Sequence, residues 1–216
     1  MNRGREPVVS QEFGETYWEE RYRGHASTHG RQPNPQLVAE AGALPPGTVL
    51  DAGCGEGADA VWLASRGWRV TAVDIATTAL RRAREHAETL GAEVAGRIEW
   101  VRADLTTWAP VREHFDLVCS HYVHPAGSRE ALFGRLAASV APGGSLLVVG
   151  HDPSGLRASG SHAPVTAHLT AEEVAASLDP DRWDIIVAEA RTRPVTDHDG
   201  HQSTLRDAVL RARRRP

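Results

Sequence analysis

Short apolar runs alternate with amphipathic segments through residues 49–149 of the chain. The runs are almost continuously apolar, which is typical of strands buried on both faces of a parallel sheet. The segments between them repeat apolar residues every three or four positions, as helices with one buried face do. This alternation predicts an open, doubly wound α/β sheet, in which ligands bind beyond the carboxyl ends of the strands.

The individual elements follow from the same pattern. Strands are predicted over residues 49–52, 69–74, 98–103, 115–120, 146–149, 183–190 and 205–213. Helices are predicted over residues 36–43, 58–65, 77–90 and 129–140, and another begins near Thr170. An earlier segment, residues 13–22, places Trp18 and Tyr22 four apart, on one face of a helix. This segment is interpreted either as a surface helix or as a lid that closes over a ligand.

Three glycines at alternate positions follow the first predicted strand, in the sequence DAGCGEG over residues 51–57. Glycines are needed where a backbone turns sharply or lets a ligand approach closely. A loop of this kind after the first strand of an α/β sheet is typical of a nucleotide site. Four acids, Asp51, Glu56, Asp74 and Asp104, are expected near the same edge of the sheet.

The loop formally satisfies the G-x-G-x-x-A pattern of dinucleotide sites, and Asp74 suits the ribose hydroxyls of NAD. However, a pyrophosphate carries two negative charges and binds to bare backbone N–H groups. Asp51 and Glu56 place negative charge beside the loop, and like charges a few ångströms apart cost about 1 kcal/mol each. The charges therefore disfavour phosphate, and an NAD(P)-binding oxidoreductase of Rossmann type is kept as an alternative hypothesis.

S-adenosylmethionine suits these charges better, because it carries an ammonium and a sulfonium and has no phosphate. Asp51 is expected to attract the ammonium, directly or through water. Asp74 can accept both ribose hydroxyls, since a carboxylate takes a bidentate pair. Asp104 is expected to accept the adenine amino group, while the glycines let the methionine portion lie against the backbone.

Five segments together resemble the class I S-adenosylmethionine-dependent methyltransferases. They are residues 49–57, 73–75, 101–105, 115–118 and 136–149, the last of which contains Ala141-Pro142-Gly143-Gly144. The resemblance implies an α/β, Rossmann-like, seven-stranded sheet of order 3-2-1-4-5-7-6, with an antiparallel last strand and an N-terminal helical lid. The cofactor-binding residues expected from the charges and the resemblance are Trp18, Tyr22, Asp51, Gly53, Cys54, Gly55, Asp74, Ile75, Asp104, Leu105, Ser120 and His121.

The segment YWEERY over residues 17–22, followed by Pro33-Asn34-Pro35, is similar to the N-terminal segment of small bacterial methyltransferases related to the thiopurine and tellurite-resistance groups. In those proteins the segment folds over the cofactor, which favours the lid interpretation. Ala76 departs from the pattern, because such proteins usually carry Ser after the strand-two acid. The departure is expected to remove a helix cap worth ~1 kcal/mol.

Methyl transfer is an in-line displacement, so alignment and desolvation of the acceptor carry much of the catalysis. A base is needed only where the acceptor must lose a proton. The predicted catalytic residues are His121 and His124, which follow strand four, because a histidine pKa of about 6.5 suits general-base work near neutrality. Tyr122, His151 and Asp152 are further candidates. The alternative role for His121 is a hydrogen bond to a loop carbonyl.

Histidines from several loops also raise a metal hypothesis, since sets of His and carboxylate bind zinc and similar cations. The set is His121, His124, His151, Asp152, His162 and His168. The sequence shows no helical His pair at ligand spacing, and no acids follow strand four as they do in catechol-type O-methyltransferases. We therefore predict no metal, and a non-catalytic cofactor- or metal-binding regulatory protein is kept as a third hypothesis.

The length and net charge of the chain limit its domain organisation and its binding partners. The 216 residues are expected to form one domain, with a lid over 1–44, a cofactor-binding core over 45–150 and a substrate-side region over 151–216. The net charge of -4 argues against nucleic-acid binding, and no apolar run reaches the ~18 residues of a membrane span. We expect a cytoplasmic monomer or homodimer.

Few large apolar residues follow strands four and five, so a small-molecule acceptor with an O, N or S nucleophile is predicted.

Overall fold

The structure is a computed structural model that describes residues 13–24, 31–155, 168–196 and 202–216. Its helices are α1 (Glu15–Gly24), α2 (Pro35–Ala41), α3 (Ala58–Ser65), α4 (Thr77–Thr89), α5 (Ala92–Ala95), α6 (Arg129–Ser139) and α7 (Ala171–Ala176), with one 3₁₀ turn at Pro153–Gly155. Its strands are β1 (Thr48–Ala52), β2 (Arg69–Asp74), β3 (Ile98–Arg102), β4 (Phe115–His121), β5 (Val140–His151), β6 (Trp183–Thr196) and β7 (Gln202–Arg214).

The strands form one seven-stranded sheet of order β3-β2-β1-β4-β5-β7-β6, which confirms the predicted fold class. β1 to β5 pair in parallel, and Asp51 lies between Ala72 of β2 and Cys119 of β4. β7 pairs antiparallel with both β5 and β6. The parallel strands therefore end at the same edge, where the loops that follow them lie side by side.

Both faces of the sheet are covered, because successive residues of each strand point to opposite sides. On one face, Leu50 and Val118 pack in a core with α6 and α7. On the other face, Val49 and Leu117 pack with α2, α3 and α4. These two cores fix the strand ends, and with them the side chains that form the site.

Most predicted boundaries lie close to the observed ones, and the differences are the short helix α5, which was not predicted, β5 and the β6–β7 pair. β5 begins at Val140, which pairs with Phe115, and the pairing resumes with Ser145 beside Leu117. The Pro-Gly-Gly turn is therefore an irregularity within the strand rather than its boundary. β6 continues to Thr196, where the sequence predicts a loop, because β7 pairs with it along its whole length.

The single domain with its internal divisions, the cytoplasmic location and the oligomeric state remain predictions. His162 lies outside the described residues. Across the part of the chain that the structure describes, no helix combines the length and the apolar character that a membrane span requires.

Candidate cofactor and acceptor site

The glycine loop between β1 and α3 uses backbone conformations that favour glycine. Gly53, Gly55 and Gly57 have φ values of 83°, 53° and 80°, all in the left-handed region. Space is also restricted, since a Cβ on Gly57 would lie 2.6 Å from Trp100 and 2.8 Å from Ala83. The loop is therefore confined to one shape, and α3 begins directly after it.

Asp74, the last residue of β2, fastens this loop from the neighbouring strand. Its Oδ2 accepts a hydrogen bond from the Gly55 N–H at 2.8 Å, and its Oδ1 accepts one from the Ala76 N–H at 2.9 Å. Burial raises the pKa of Asp74, and the backbone hydrogen bonds oppose that rise only in part. Each carboxylate oxygen keeps a further lone pair, so Asp74 can also accept hydroxyl groups of a ligand.

Asp51 and His121, which are buried, and Asp59, which is partly exposed, form a group at the glycine loop that we call the acid–imidazole cluster. His121 Nδ1 donates a hydrogen bond to Asp59 Oδ2 at 2.7 Å, and Asp59 Oδ1 accepts one from the Asn34 N–H at 2.6 Å. Asp51 Oδ2 and His121 Nε2 are buried without a hydrogen-bond partner among the described residues. A buried polar atom without a partner costs about 1–3 kcal/mol, so the cluster suits a polar ligand that satisfies both atoms.

The cluster shifts the pKa values of two of its members. Burial raises the pKa of Asp51 to about 7, and the charge of Asp59 adds to the rise while His121 opposes it. For His121, burial lowers the pKa, but the hydrogen bond and charge of Asp59, together with Asp51, outweigh burial and leave the pKa raised. The surroundings therefore favour an imidazolium at His121 near neutral pH.

Helix α1 covers the loop with two aromatic side chains. A Cβ added to Gly55 would lie 2.8 Å from the Tyr22 hydroxyl oxygen, so Tyr22 packs closely on the loop. Trp18 stacks on His124, with 6.2 Å between ring centroids and 11° between ring planes. Both predicted lid residues therefore lie in the wall of the cavity at the strand ends.

The side chains around the two predicted catalytic histidines differ in charge. His121 has acids as neighbours, whereas His124 lies near His151 and Arg129. Burial and the charges of those neighbours lower the pKa of His124 to about 4. His124 is therefore neutral at pH 7, whereas the acids around His121 favour its charged form.

Three histidines of the metal hypothesis, His124, His151 and His168, lie near one another without forming a ligand set. The ring centroid of His151 lies 6.2 Å from that of His124 and 6.3 Å from that of His168. Asp152 accepts a hydrogen bond from the Ser154 N–H at 2.9 Å. Within the described ranges, no group of three or more His, Cys, Asp or Glu side chains is arranged to hold a metal ion.

The other predicted cofactor residues differ in their placement. Cys54, Ile75, Asp104 and Leu105 border the cavity. Ser120 does not belong to the cavity wall. It is 2% exposed within β4, and its side chain points to the face opposite His121 because a strand alternates its side chains.

The position of Glu56 in the sequence suggests an unpaired negative charge beside the glycine loop, but the structure shows its carboxylate in an ion pair. Its carboxylate pairs with Arg82 of α4 at 2.7 Å. The ion pair offsets the charge of Glu56, so a part of the predicted repulsion toward phosphate is absent. Asp51 retains its place as a buried acid directly before the glycine loop.

Another part of the cavity wall is formed by polar and aromatic groups from β5, β6 and the β4–α6 loop. The Tyr122 ring stacks on His151 with 4.6 Å between centroids, and its hydroxyl accepts a hydrogen bond from Arg193 at 3.2 Å. Arg193 also donates to Asp207 at 2.8 Å, and Asp207 accepts a hydrogen bond from Gln36. Burial raises the pKa of Tyr122, so its hydroxyl stays protonated.

The glycine loop, the two α1 aromatics, His124, Tyr122, His151 and Arg193 border one continuous cavity of about 1150 Å³. Pockets for a single small ligand usually enclose about 300–1,000 Å³. The cavity therefore has room for a nucleoside at the glycine loop and a second small molecule.

Sequence reasoning missed Asp59 and Glu19, whose partners are distant in the chain. Asp59 lies in the first turn of α3, where an acid is explained by the helix dipole, and 62 residues separate it from His121. Glu19 of α1 accepts hydrogen bonds from Thr78, at the start of α4. The one local signal for Glu19 was Ala76, since a helix without its own cap requires another residue to supply it.

Comparisons with known proteins match the core of the chain to methyltransferases. Residues 49–144 match the sequence model of a family described as a methyltransferase domain. A protein of Arabidopsis thaliana named "Probable thiol methyltransferase 2" is 33% identical over 123 residues, which are 55% of this chain and 53% of the relative. The chain thus spans about half the length of the curated relatives it matches.

Solved structures extend the likeness over most of the fold. A structure from work on the "Conversion of a Disulfide Bond into a Thioacetal Group during Echinomycin Biosynthesis" has a TM-score of 0.72 and 25% identity, over 93% of this chain and 92% of the other. A SAM-dependent methyltransferase from Methanosarcina mazei has a TM-score of 0.60, over 85% of this chain and 99% of its own, and its 20% identity shows likeness of fold alone.

The methyltransferase-domain match over residues 49–144 and the fold shared with SAM-dependent methyltransferases support the class I S-adenosylmethionine-dependent methyltransferase family that the sequence motifs predict. The cofactor of that class is S-adenosylmethionine.

Proposed function

We propose that the protein transfers a methyl group from S-adenosylmethionine to a small-molecule acceptor with an O, N or S nucleophile. The observation that carries the proposal is the pair of buried acids, Asp51 and Asp74, at the ends of adjacent strands beside a left-handed glycine loop. Buried acids at this edge suit a nucleoside with hydroxyl and ammonium donors. The cavity continues past that position, which leaves space for an acceptor.

The site residues fit such a nucleoside from one end to the other. Asp104 and Leu105 would hold the adenine, and Asp74 would accept the ribose hydroxyls. At the acid–imidazole cluster, Asp51 Oδ2 lacks a donor and the raised pKa of His121 makes Nε2 a donor without an acceptor. An amino-acid end offers both, with an ammonium for Asp51 and a carboxylate for His121. When bound, the cofactor supplies an activated methyl group on a sulfonium.

The two histidines take different roles because their pKa values are shifted in opposite directions. His121, as a cation, is a donor to the cofactor rather than a base. His124 is neutral, so it does not repel a sulfonium. It can also accept a hydrogen bond that the methyl-accepting substrate donates. A base with a pKa of about 4 is too weak to deprotonate an alcohol, so the nucleophile is expected to ionise readily.

A thiol meets that requirement, since its ordinary pKa is about 8.5. The 33% identical relative named as a probable thiol methyltransferase supports the same acceptor class. The wall formed by Tyr122, His151 and His124 offers the polarisable ring surface that sulfur favours. We therefore rank small thiols first among the acceptors.

Incubation with methyl-labelled S-adenosylmethionine and a matched series of small thiols, alcohols and amines tests the proposal. We expect a labelled thioether, and a loss of about tenfold or more in Asp74→Ala, which removes the ribose acceptor. Glu20→Ala, a change at an exposed position outside the cavity wall, is the control and keeps full activity. Product from alcohols alone would contradict the acceptor class, and a wild-type protein that neither binds the cofactor nor forms product would contradict the function.

A further inference from the structure

The N-terminus of α4 has no cap of its own. Its N-cap residue is Ala76, which makes no side-chain hydrogen bond, and the first turn contains no acid. A helix begins with backbone N–H groups that lack partners within the helix, and an N-cap side chain normally accepts from the second or third of them. Asp74 accepts from the Ala76 N–H, which leaves the Thr78 N–H to be satisfied from elsewhere.

Glu19, from helix α1, supplies this bond across a separation of 59 residues. One carboxylate oxygen accepts from the Thr78 N–H at 3.1 Å, and the other accepts from the Thr78 hydroxyl at 2.5 Å. Arg23, one turn further along α1, pairs with Glu19 at 3.0 Å. The hydrogen bond from the Thr78 hydroxyl lowers the pKa of Glu19, so the acid stays ionised at neutral pH.

Helix α1 depends on a few polar and aromatic contacts, because none of its residues is buried. Beside the Glu19 bonds, Glu15 pairs with Arg102 at the end of β3. Tyr22 packs on Gly55. The largest apolar side chains of α1, Trp18 and Tyr22, are only half-buried, so α1 gains less from the hydrophobic effect than a helix with a fully buried face, and each directed contact has a larger share in holding it.

We propose that Glu19 is a positioning residue that caps α4 from another helix and thereby holds Trp18 and Tyr22 over the cofactor end of the cavity. The same bond supports the segment from Asp74 to Thr78, which carries the acid expected to bind ribose. The docking of α1 and the formation of the ribose site then occur together, because both depend on this bond. This inference rests on the proposed function for its ligand, whereas the docking of α1 is measurable without one.

A rescue experiment separates positioning from simple capping. Glu19→Ala removes the bond, and Ala76→Ser in the same chain restores an ordinary N-cap without restoring the link to α1. Glu19→Ala is expected to lower the melting temperature, expose residues 15–24 to hydrogen exchange, and weaken S-adenosylhomocysteine binding by about tenfold, equal to ~1.4 kcal/mol. The double variant is expected to regain the melting temperature while residues 15–24 stay unprotected and binding stays weak.

Two further variants sharpen the result. Glu20→Ala, the matched loss of a neighbouring acid, is expected to match the wild type. Glu19→Gln keeps one carbonyl acceptor for the Thr78 N–H, so its binding defect is expected to be smaller than that of Glu19→Ala. Recovery of both stability and affinity in the Glu19→Ala, Ala76→Ser double variant would overturn the proposal and leave Glu19 as a cap alone. Protection of residues 15–24 that is unchanged in Glu19→Ala would also overturn it, even if the wild type binds no cofactor.

Discussion

Asp51 is a residue at which folding and ligand binding make opposite demands. Burial raises its pKa to about 7, whereas an exposed aspartate has a pKa of about 3.9. A group whose pKa is higher in the folded chain stabilises the fold below its unfolded pKa. That stabilisation is lost as the pH rises through about 7, because the carboxylate must then stay buried as an ion.

Asp51→Asn removes this titration with little change of shape. We expect the ligand-free variant to melt higher than the wild type at pH 8, by roughly 5 °C, and the difference to shrink at pH 5. The same variant is expected to bind S-adenosylhomocysteine more weakly, since an amide cannot balance an ammonium. Thermal unfolding at the two pH values and titration calorimetry measure these effects. A difference in melting temperature that is equal at both pH values would contradict the raised pKa.

Single residues of the site were predictable where a local pattern marks them. Asp51 and Asp74 end apolar runs, and the glycines lie at fixed spacing between strand and helix. The pairing of Glu56 was not predictable, because Arg82 lies 26 residues away and no local rule connects them. The raised pKa of His121 was not predictable either, since it depends on Asp59.

Among the elements, α7 shows how far a local rule reaches. The sequence TAEE over residues 170–173 predicts a capping box, and the structure contains it. The Glu173 N–H donates to Thr170 Oγ1 at 3.1 Å, and the Thr170 N–H donates to Glu173 Oε2 at 3.0 Å. Both bonds join residues three apart, so the sequence contains all of the necessary information.

Thr170→Ala is therefore expected to lower the free energy of unfolding by ~1 kcal/mol, measured by urea denaturation. Cofactor affinity is expected to stay unchanged, because no residue of α7 borders the cavity. A variant of full stability, or one with weakened S-adenosylhomocysteine binding, would contradict this separation of fold and site.

The starts of α4 and β5 depend on contacts between distant elements. Ala76 correctly predicts that α4 lacks its own side-chain cap, but the sequence does not reveal that Glu19 supplies one. In β5, the Pro-Gly-Gly turn predicts a boundary, and the pairing of Val140 with Phe115 extends the strand beyond it. Tertiary pairing outweighs a local turn preference in this place.

In the whole molecule, the sheet order brings the site together. β1 lies between β2 and β4, so Asp51 comes between the strands that carry Asp74 and His121. This arrangement was predictable from the strand–helix alternation and the family motifs. The pairing of Asp59 with His121 and of Arg193 with Tyr122 in the cavity wall was not, because each joins side chains that are distant in the chain.

Titration calorimetry of S-adenosylhomocysteine into the full chain tests the central claim most directly. We predict one site with a dissociation constant on the order of 1 μM, or about −8 kcal/mol. Asp74→Ala, shown by its melting curve to be folded, is predicted to give no saturable binding, and NAD⁺ is predicted to give none with the wild type. A folded wild-type protein that binds NAD⁺ and not S-adenosylhomocysteine would contradict the account.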